Sequence, residues 1–421
     1  MVSYSKQMIE AIQNEDLELA DSYLEKALAE DNEEELYSLI ETLYDLGFLT
    51  ETRQVVTHLL AQFPEEDGLK ITLAEIAIEE GAELEAFEWL EQVDMTSPYY
   101  AQALLVSADY YQTLDLPEVS KQKLLEAKEL LPDEPVIDFA LGELLFASGN
   151  YKEAITYYEN LLTAHHMDFA GTSIHGRLGN AYGAIGDLDN AVDYLNEAVD
   201  MQETSDHLFQ LGYIYFQKKD YTRSGELFHK VKELDPSYTS VYAYLAKGYL
   251  EEHTEEKALE VIKEGIYYDK ENPLLYSMGA EASLAQGDAQ AAEDYYVKAI
   301  DRDPENLSTT LHLSNLYLEQ ERYTEALDLM EMKLETGEED PQLFWNSAKA
   351  YNGEEDFEKA RINYDKAYYS LKDTPAFVKE YAAFLREDGD REGFIREAKR
   401  YLALNPDDLE VLEWIKNEEA Y

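Results

Sequence analysis

The sequence has no cysteine among its 421 residues, and it has only 34 lysines and arginines against 90 aspartates and glutamates. The absence of cysteine excludes disulfides, thiolate metal ligands, a cysteine nucleophile and a lipoprotein anchor. It fits a reducing compartment, and we expect a cytoplasmic protein. The net charge of -56 argues against nucleic acid or an anionic membrane as the main ligand, because each binds a basic surface. A basic protein or peptide partner is favoured, although acidity also serves simply to keep a long chain dispersed.

Long apolar runs and the motifs of catalysis are missing as well. No stretch approaches the length of a membrane-spanning helix, and residues 1–18 lack the basic and apolar regions of a signal peptide. We find no phosphate loop, HExxH pair or nucleophile elbow. The glycines of 176–186 follow no strand, and the adjacent His165 and His166 are expected to be solvated. We therefore predict no enzyme activity, no catalytic or metal-binding residue and no cofactor.

What the sequence does contain is one repeating pattern along its whole length, with 34-residue windows from residue 205 onward. Position 20 of the window is large only at Phe394, and position 8 is small from the third window on. Ten of the eleven prolines fall at the junctions between windows, where they do not interrupt a helix. Six glycines recur at position 15, which suits a helix C-cap. Each window therefore predicts a first helix, a short turn, a second helix and a second turn.

This pattern resembles the tetratricopeptide repeat (TPR) family over essentially the whole chain. The clearest copy contains Leu211, Gly212, Tyr215, Tyr221, Phe228 and Pro236. The resemblance implies an all-α fold, a right-handed superhelical α-solenoid of about twelve helical hairpins followed by a capping helix. In length, acidity and repeat layout the chain also looks like the long cytoplasmic TPR proteins of low-GC Gram-positive bacteria.

One window, which begins at residue 135, is three residues longer than the standard window, and the extra length lies near 165–171. It divides the chain into an acidic array of about five repeats at 1–171 and an array of about seven repeats at 172–408, and one interpretation of it is a hinge between the two. The alternative is a longer loop with tight packing around it. Residues 409–421 are predicted to form the capping helix, with Leu409, Leu412 and Ile415 on its covering face.

The resemblance also implies that the first helices line a concave groove, with window positions 2, 5, 9, 12 and 13 facing it. Residues 1–134 hold 32 acids and 7 bases, so this end of the groove suits a basic, partly apolar segment. The predicted partner-binding residues of this N-terminal zone are Tyr37, Glu41, Tyr44, Ile71, Glu75, Phe139 and Phe146.

A second zone of the groove carries bases and amides. Its predicted partner-binding residues, of which Arg177 and Asn346 come from window position 6, are Arg177, Asn180, Tyr213, Phe216, Lys247, Asn315, Trp345, Asn346, Lys349 and Asn352. In peptide-binding TPR proteins such side chains hold a carboxylate or the peptide backbone through charge-assisted hydrogen bonds. The alternative is a scattered polar surface with no ligand.

The predicted function is that of an interaction scaffold or adaptor, which binds an extended or helical segment of a partner protein in the groove. The alternative is a peptide-sensing regulatory TPR receptor without a DNA-binding domain, since the repeats begin near Met1 and the first 134 residues are strongly acidic.

Overall fold

The computed structural model describes residues 2–169 and 171–419. The described residues do not include Met1, Ala170, Ala420 and Tyr421. Met1 and Ala170 belong to the predicted 1–171 array, Ala170 in its insertion, and Ala420 and Tyr421 belong to the predicted 409–421 helix. By their contacts the residues form two compact units, which we call unit 1 (1–203) and unit 2 (204–421). This boundary follows residue 203, and the hinge near 165–171 stays a prediction.

Unit 1 is built of helical hairpins in chain order, each packed on the next. Its elements are α1 (Tyr4–Gln13), α2 (Leu17–Glu30), α3 (Glu33–Asp45), α4 (Leu49–Gln62), α5 (Asp67–Glu79), α6 (Glu83–Leu90), α7 (Tyr100–Thr113), α8 (Pro117–Leu130), α9 (Pro135–Ala147), α10 (Tyr151–Thr163), β1 (Asp168–Phe169), β2 (Thr172–Ser173), α11 (Ile174–Ala184) and α12 (Leu188–Met201). Odd-numbered helices are the first helices of the hairpins, and even-numbered helices are the second helices.

Unit 2 repeats the same hairpin and ends in one additional helix. Its elements are α13 (Ser205–Gln217), α14 (Tyr221–Leu234), α15 (Ser240–Glu251), α16 (Glu255–Tyr268), α17 (Pro273–Ala285), α18 (Ala289–Arg302), α19 (Leu307–Glu319), α20 (Tyr323–Glu335), α21 (Pro341–Gly353), α22 (Phe357–Leu371), α23 (Pro375–Glu387), α24 (Arg391–Leu404) and α25 (Leu409–Glu419). The predicted all-α solenoid of about twelve hairpins is confirmed.

Small residues at window position 8 bring the two helices of a hairpin into close contact. A Cβ atom on Gly142 of α9 would lie 2.6 Å from the ring of Tyr158 on α10, which is fully buried. Gly212 meets Phe228 in the same way, with 2.8 Å between its ideal Cβ and the ring. The glycine thus leaves the space that the aromatic ring fills, as close packing requires.

The turn within each hairpin uses a residue with left-handed backbone. Glycine occupies it at Gly47 and Gly149, with φ of 77° and 75°, and glycine adopts this conformation without steric cost. Elsewhere the same position holds a charged residue, as at Glu15 (φ 60°) and Glu355 (φ 61°). The turn geometry is therefore common to the repeats even where the glycine is missing.

Two buried tyrosines of unit 2 fasten a first helix to the turn that precedes it. Tyr242 donates a hydrogen bond to the carbonyl oxygen of Pro236 (2.9 Å), and Tyr276 donates to that of Lys270 (3.1 Å). We expect Tyr242→Phe to lower the free energy of unfolding by about 1 kcal/mol, since it removes one buried hydrogen bond and leaves the carbonyl oxygen unpaired. Urea denaturation measures the change, and Tyr369→Phe is the control because that side chain is 85% exposed. Equal losses in the two variants would contradict the role of the bond.

The final helix covers the last hairpin, but with a different face from the predicted one. Val411 is buried and Ile415 is 8% exposed, and both belong to the core of the last two hairpins. Leu409 is 78% exposed and Leu412 is 43% exposed, so their assignment to the covering face was wrong. The apolar residues that pack stand four apart at 411 and 415, one helical turn from each other.

The insertion near 165–171 contains the antiparallel strands β1 and β2, with Phe169 paired to Thr172. The Phe169 ring stacks on Phe139 of α9, with 4.7 Å between the ring centroids. The backbone N–H of Ile174 also donates to the carbonyl oxygen of Met167 (3.0 Å). These contacts attach the described part of the insertion to α9 and to the start of α11.

Candidate functional site

The first helices of unit 1 present most of the predicted N-terminal zone on their surface. Tyr37 and Glu41 of α3 are exposed, while Tyr44 of α3 and Glu75 of α5 are half-buried. Ile71 is the exception, because it has no exposed surface and packs in a core cluster. Its prediction as a groove residue was wrong, since the apolar side chain at this position turns inward.

An acidic cluster lies on this surface, formed by Tyr44 of α3, Glu75 and Glu79 of α5, and Asp109 of α7. Burial and then the charge of Asp109 raise the pKa of Glu75 to about 7. Burial and the neighbouring Glu79 raise the pKa of Asp109. Burial, followed by the charges of Glu75, Glu79 and Asp109, raises the pKa of Tyr44 to about 12. Each shift has the sign expected of an acid that lacks a nearby cation.

The acidic cluster has no counter-ion of its own in the part of the chain that the structure describes. Several bases elsewhere in unit 1 are engaged by other acids, as Arg53 is by Glu80 (2.5 Å) and Glu85. Lys121 likewise pairs with Glu153 (2.6 Å). Glu75 is half-buried, whereas Glu79 and Asp109 are exposed. The carboxylates of the cluster therefore repel one another, and a cation supplied from outside would be attracted to them.

Phe139 and Phe146 of α9 are partly buried, and both are already in contact with other side chains. Phe139 is stacked against Phe169 of the insertion. The Phe146 ring lies 5.2 Å from Tyr151 and 5.7 Å from the Arg177 guanidinium carbon. A partner reaching Phe139 would therefore meet the insertion as well, which the sequence pattern did not indicate.

Arg177 of α11 was predicted as a free base of the groove, and in the structure it forms an ion pair. Its guanidinium donates to Glu143 (2.6 Å), and Glu143 also accepts a hydrogen bond from the fully buried Tyr158 (2.6 Å). The positive charge of Arg177 is thus largely offset by a carboxylate of the preceding first helix. Asn180 lies one turn further along α11 and is half-buried.

Tyr213 and Phe216 of α13 belong to an aromatic cluster centred on Tyr244 of α15. The Tyr244 ring lies 5.3 Å from Tyr213 and 5.4 Å from Phe216, both edge to face. Phe209 also contacts Tyr244, with 5.6 Å between ring centroids. The sequence analysis missed Tyr244, which stands at window position 6, and the aromatic residues on the preceding first helix were the signal that could have found it.

The two predicted lysines of unit 2, Lys247 and Lys349, differ in whether a carboxylate already lies beside them. Lys247 is exposed, and within the described residues it forms no ion pair. Lys349 lies 3.6 Å from a carboxylate oxygen of Glu380, and the Trp345 indole N–H donates to the other oxygen of that carboxylate (2.8 Å). Lys349 and Trp345 therefore already hold a carboxylate, and it belongs to α23.

The predicted asparagines serve different roles in the structure. Asn346 is fully buried and donates to the Ser314 hydroxyl (2.8 Å) and to the Asn315 side-chain oxygen (2.9 Å). Its assignment to the groove surface was wrong, because the amide is used to join α21 to α19. Asn315 is half-buried with its oxygen engaged there, and Asn352 donates to Glu387 (3.3 Å).

Residues 2–169 and 171–419 contain no group of three or more histidines, aspartates and glutamates arranged to hold a metal ion. No helix in these ranges is long and apolar enough to cross a membrane.

Sequence comparison relates the chain to TPR proteins along most of its length. The pattern described as "YpiA-like, tetratricopeptide repeats" matches residues 112–166, and "YpiA-like, C-terminal tetratricopeptide repeats" matches 341–408. General tetratricopeptide repeats match 177–239 and 283–350. The TPR repeat-containing protein YpiA of Bacillus subtilis is 33% identical over 392 residues, covering 93% of this chain and 92% of that protein. TPR repeat-containing protein MJ1428 of Methanocaldococcus jannaschii is 26% identical over 51% of this chain and 40% of its own length.

Solved structures of similar fold include the TPR protein YrrB, described as having an unusual peptide-binding site. It is 16% identical, with 44% of this chain and 95% of that chain covered and a TM-score of 0.37. The structure of Pseudomonas aeruginosa PilF is 20% identical, with 51% and 97% covered and a TM-score of 0.43.

Proposed function

The chain belongs to the family of the YpiA-like tetratricopeptide repeat proteins, and from this we propose that it is an interaction scaffold whose partner supplies a basic, partly apolar segment. TPR proteins generally bind other proteins or peptides. Consecutive first helices give such arrays an extended surface for recognition. The segment would lie on the first helices of unit 1, on the surface that contains Tyr37, Glu41 and the acidic cluster.

The observation that supports this proposal most is the uncompensated acidic cluster. The partial burial of Glu75 and the charge of the exposed Asp109 disfavour the charged form of Glu75 in the unbound protein, as the raised pKa of Glu75 indicates. A lysine or arginine of the partner would remove this repulsion and form charge-assisted hydrogen bonds with the carboxylates. The exposed Tyr37 ring and the half-buried Ile78 supply apolar contact beside the charge.

The proposal is tested with an array of synthetic peptides that vary independently in charge and in apolar content. We expect the bound peptides to contain lysine or arginine beside aliphatic or aromatic residues. The double variant Glu75→Gln/Asp109→Asn should weaken their binding roughly tenfold, about 1.4 kcal/mol, as measured by fluorescence anisotropy. Rising salt should weaken binding to the unaltered protein as well.

The control is the double variant Glu129→Gln/Asp133→Asn, which removes the same two charges from exposed positions of unit 1. It should leave peptide affinity nearly unchanged. The proposed role of the acidic cluster would be contradicted if the peptides that bind were not enriched in lysine and arginine. It would also be contradicted if the two double variants bound the peptides with equal affinity.

The alternative function, a regulator that senses a small peptide, is favoured by Lys247. This exposed base lies on α15, the helix that also carries Tyr244 at the centre of the aromatic cluster. In this alternative Lys247 would bind a peptide carboxylate, while Tyr213 and Phe216 contact its side chains. The unaltered protein should then prefer a peptide with a free C-terminal carboxylate over the same peptide with an amidated C-terminus, and Lys247→Met should abolish this preference. The scaffold function requires no such preference.

A further inference from the structure

A groove of about 220 Å³ in unit 1 is lined by residues of α6, α7 and α8 and of the segment between α6 and α7. We infer that this groove binds a short, basic amphipathic helix of a partner protein. Its lining on α7 includes Ala103, Ser107 and Tyr110, which stand at window positions 3, 7 and 10 and not at the positions of the first-helix surface. The inference therefore goes beyond the proposed function and concerns a second surface.

The groove exists because α6 ends early. This helix has 8 residues, whereas the second helices α4, α8 and α10 of the same unit have 14, 14 and 13. The five to six missing residues correspond to about one and a half helical turns. Glu91, Val93, Asp94 and Met95, which would belong to a second helix of normal length, line the groove instead.

The sequence after Leu90 explains the early end. Asp94 accepts hydrogen bonds from the backbone N–H (2.9 Å) and hydroxyl (2.7 Å) of Thr96, which is a local alternative to continuing the helix. The N–H of Ser97 donates to the carbonyl oxygen of Asp94 (2.9 Å), and Pro98 follows. Residues 91–99 therefore form turns in place of the last part of a helix.

The groove carries apolar side chains that the fold leaves uncovered. Met95 is 74% exposed and Phe87 is 38% exposed, and both line it. Leu84, on the same short helix as Phe87, is 71% exposed. Exposed apolar residues grouped around a concavity are typical of protein-binding surfaces, and methionine adapts its shape to different partners.

The charge around the groove selects the polar face of the ligand. Residues 83–94 contain five acids and no base, and Glu91 and Asp94 line the groove directly. Lys123 of α8 also lines the groove, but the acidic residues around it outnumber this single base. A helix that places two apolar residues in the groove and lysine or arginine on its flanks matches both properties, and it takes the place of the turns that α6 lacks.

The absence of native cysteine permits a direct binding measurement. A single cysteine introduced by Gln122→Cys, at an exposed position beside Lys123, accepts an environment-sensitive dye. The probe is a synthetic peptide of about four helical turns, with leucine on one face and lysine on the other. We expect saturable binding, and we expect a peptide of the same composition in scrambled order to bind at least roughly tenfold more weakly.

Two variants test whether the peptide binds in the groove or elsewhere on the surface. The double variant Phe87→Ser/Met95→Asp should weaken binding at least roughly tenfold, and Ser107→Leu should do the same by filling the groove without a change of charge. The matched control Met201→Asp alters a 52% exposed methionine of unit 1 away from the groove and should leave binding unchanged. Circular dichroism establishes that each variant is folded.

Equal binding of the ordered and scrambled peptides, or unchanged binding in folded Ser107→Leu protein, would overturn the inference. Self-association of the chain that is abolished by Met95→Asp would also overturn it, because the occupant would then be a second copy. With the dye on the cysteine introduced at position 122 as the reporter of the groove, the variant Glu75→Gln/Asp109→Asn should give the same dye response to the amphipathic peptide as the unaltered protein, whatever happens to peptide binding at the acidic cluster. Failure at the groove is thereby distinguishable from failure of the proposed first-helix surface.

Discussion

Replacement of Glu75 by glutamine is expected to raise the free energy of unfolding at pH 8 by about 3 kcal/mol. Burial and Asp109 raise the pKa of the Glu75 carboxyl from 4.5 to about 7 in the folded protein. The folded state therefore binds the proton more tightly than the unfolded state, and the Glu75 contribution to stability falls as pH rises from about 4.5 to about 7. Above pH 7 the charged carboxylate is fully penalised, whereas glutamine carries no charge at any pH.

Urea denaturation at pH 8 and at pH 4.5 measures this effect. The gain from Glu75→Gln should be close to its full size at the higher pH and should nearly vanish at the lower one. Glu129→Gln is the control, because Glu129 is exposed. A gain of the same size at both pH values would show that glutamine acts through packing and not through the charge.

A stabilising substitution at a surface carboxylate has a functional meaning. If Glu75→Gln raises stability and also weakens the binding of basic peptides, then the residue exchanges stability for recognition, as binding sites commonly do. If it raises stability and leaves binding intact, the acidic cluster is a feature of the fold alone. The two measurements together decide between these outcomes.

Substitution of Asn346 by alanine is expected to lower the free energy of unfolding by about 2–4 kcal/mol. The buried amide donates to Ser314 and Asn315 and accepts from the Gln342 side chain (2.8 Å). Alanine would leave these polar groups without their partner and would open a small cavity between α19 and α21. Because the amide is fully buried, the loss falls on the stability of unit 2 and not on a binding surface.

Calorimetry or chemical denaturation measures the loss, and two further variants define its origin. Asn352→Ala, which removes a longer bond to Glu387 (3.3 Å), should cost markedly less. The leucine variant Asn346→Leu should be intermediate or as costly as alanine, since it fills space but still leaves the polar groups unpaired. A loss below about 0.5 kcal/mol in Asn346→Ala would show that the network relaxes without it.

The repeat pattern was sufficient to predict the fold, because it fixed where helices begin and end. Glycines such as Gly142 and the prolines at window junctions left one consistent arrangement of hairpins. The early end of α6 was not predicted, since the windows align there without a gap. Its cause is local competition for hydrogen bonds at Asp94 and Thr96, which a search for periodicity does not detect.

The candidate site was less predictable than the fold. Window position alone assigned Glu75, Tyr44, Ile71 and Asn346 to the groove surface. Glu75 and Tyr44 are half-buried, whereas Ile71 and Asn346 are fully buried. The sequence pattern also does not show which charged side chains form ion pairs. In the structure Arg177 pairs with Glu143, and Lys349 pairs with Glu380. These partners lie one repeat away in sequence, and their distances depend on side-chain conformation that the pattern does not specify.

The hairpins of each unit contact mainly their neighbours in the chain, and this has a mechanical consequence. Tension applied to the ends of such a unit is therefore carried mainly from one hairpin to the next. The unit would lengthen stepwise, and a hairpin could detach while those beyond it kept their shape. We expect an array of this construction to yield under load one hairpin at a time, without losing the structure of the hairpins that remain.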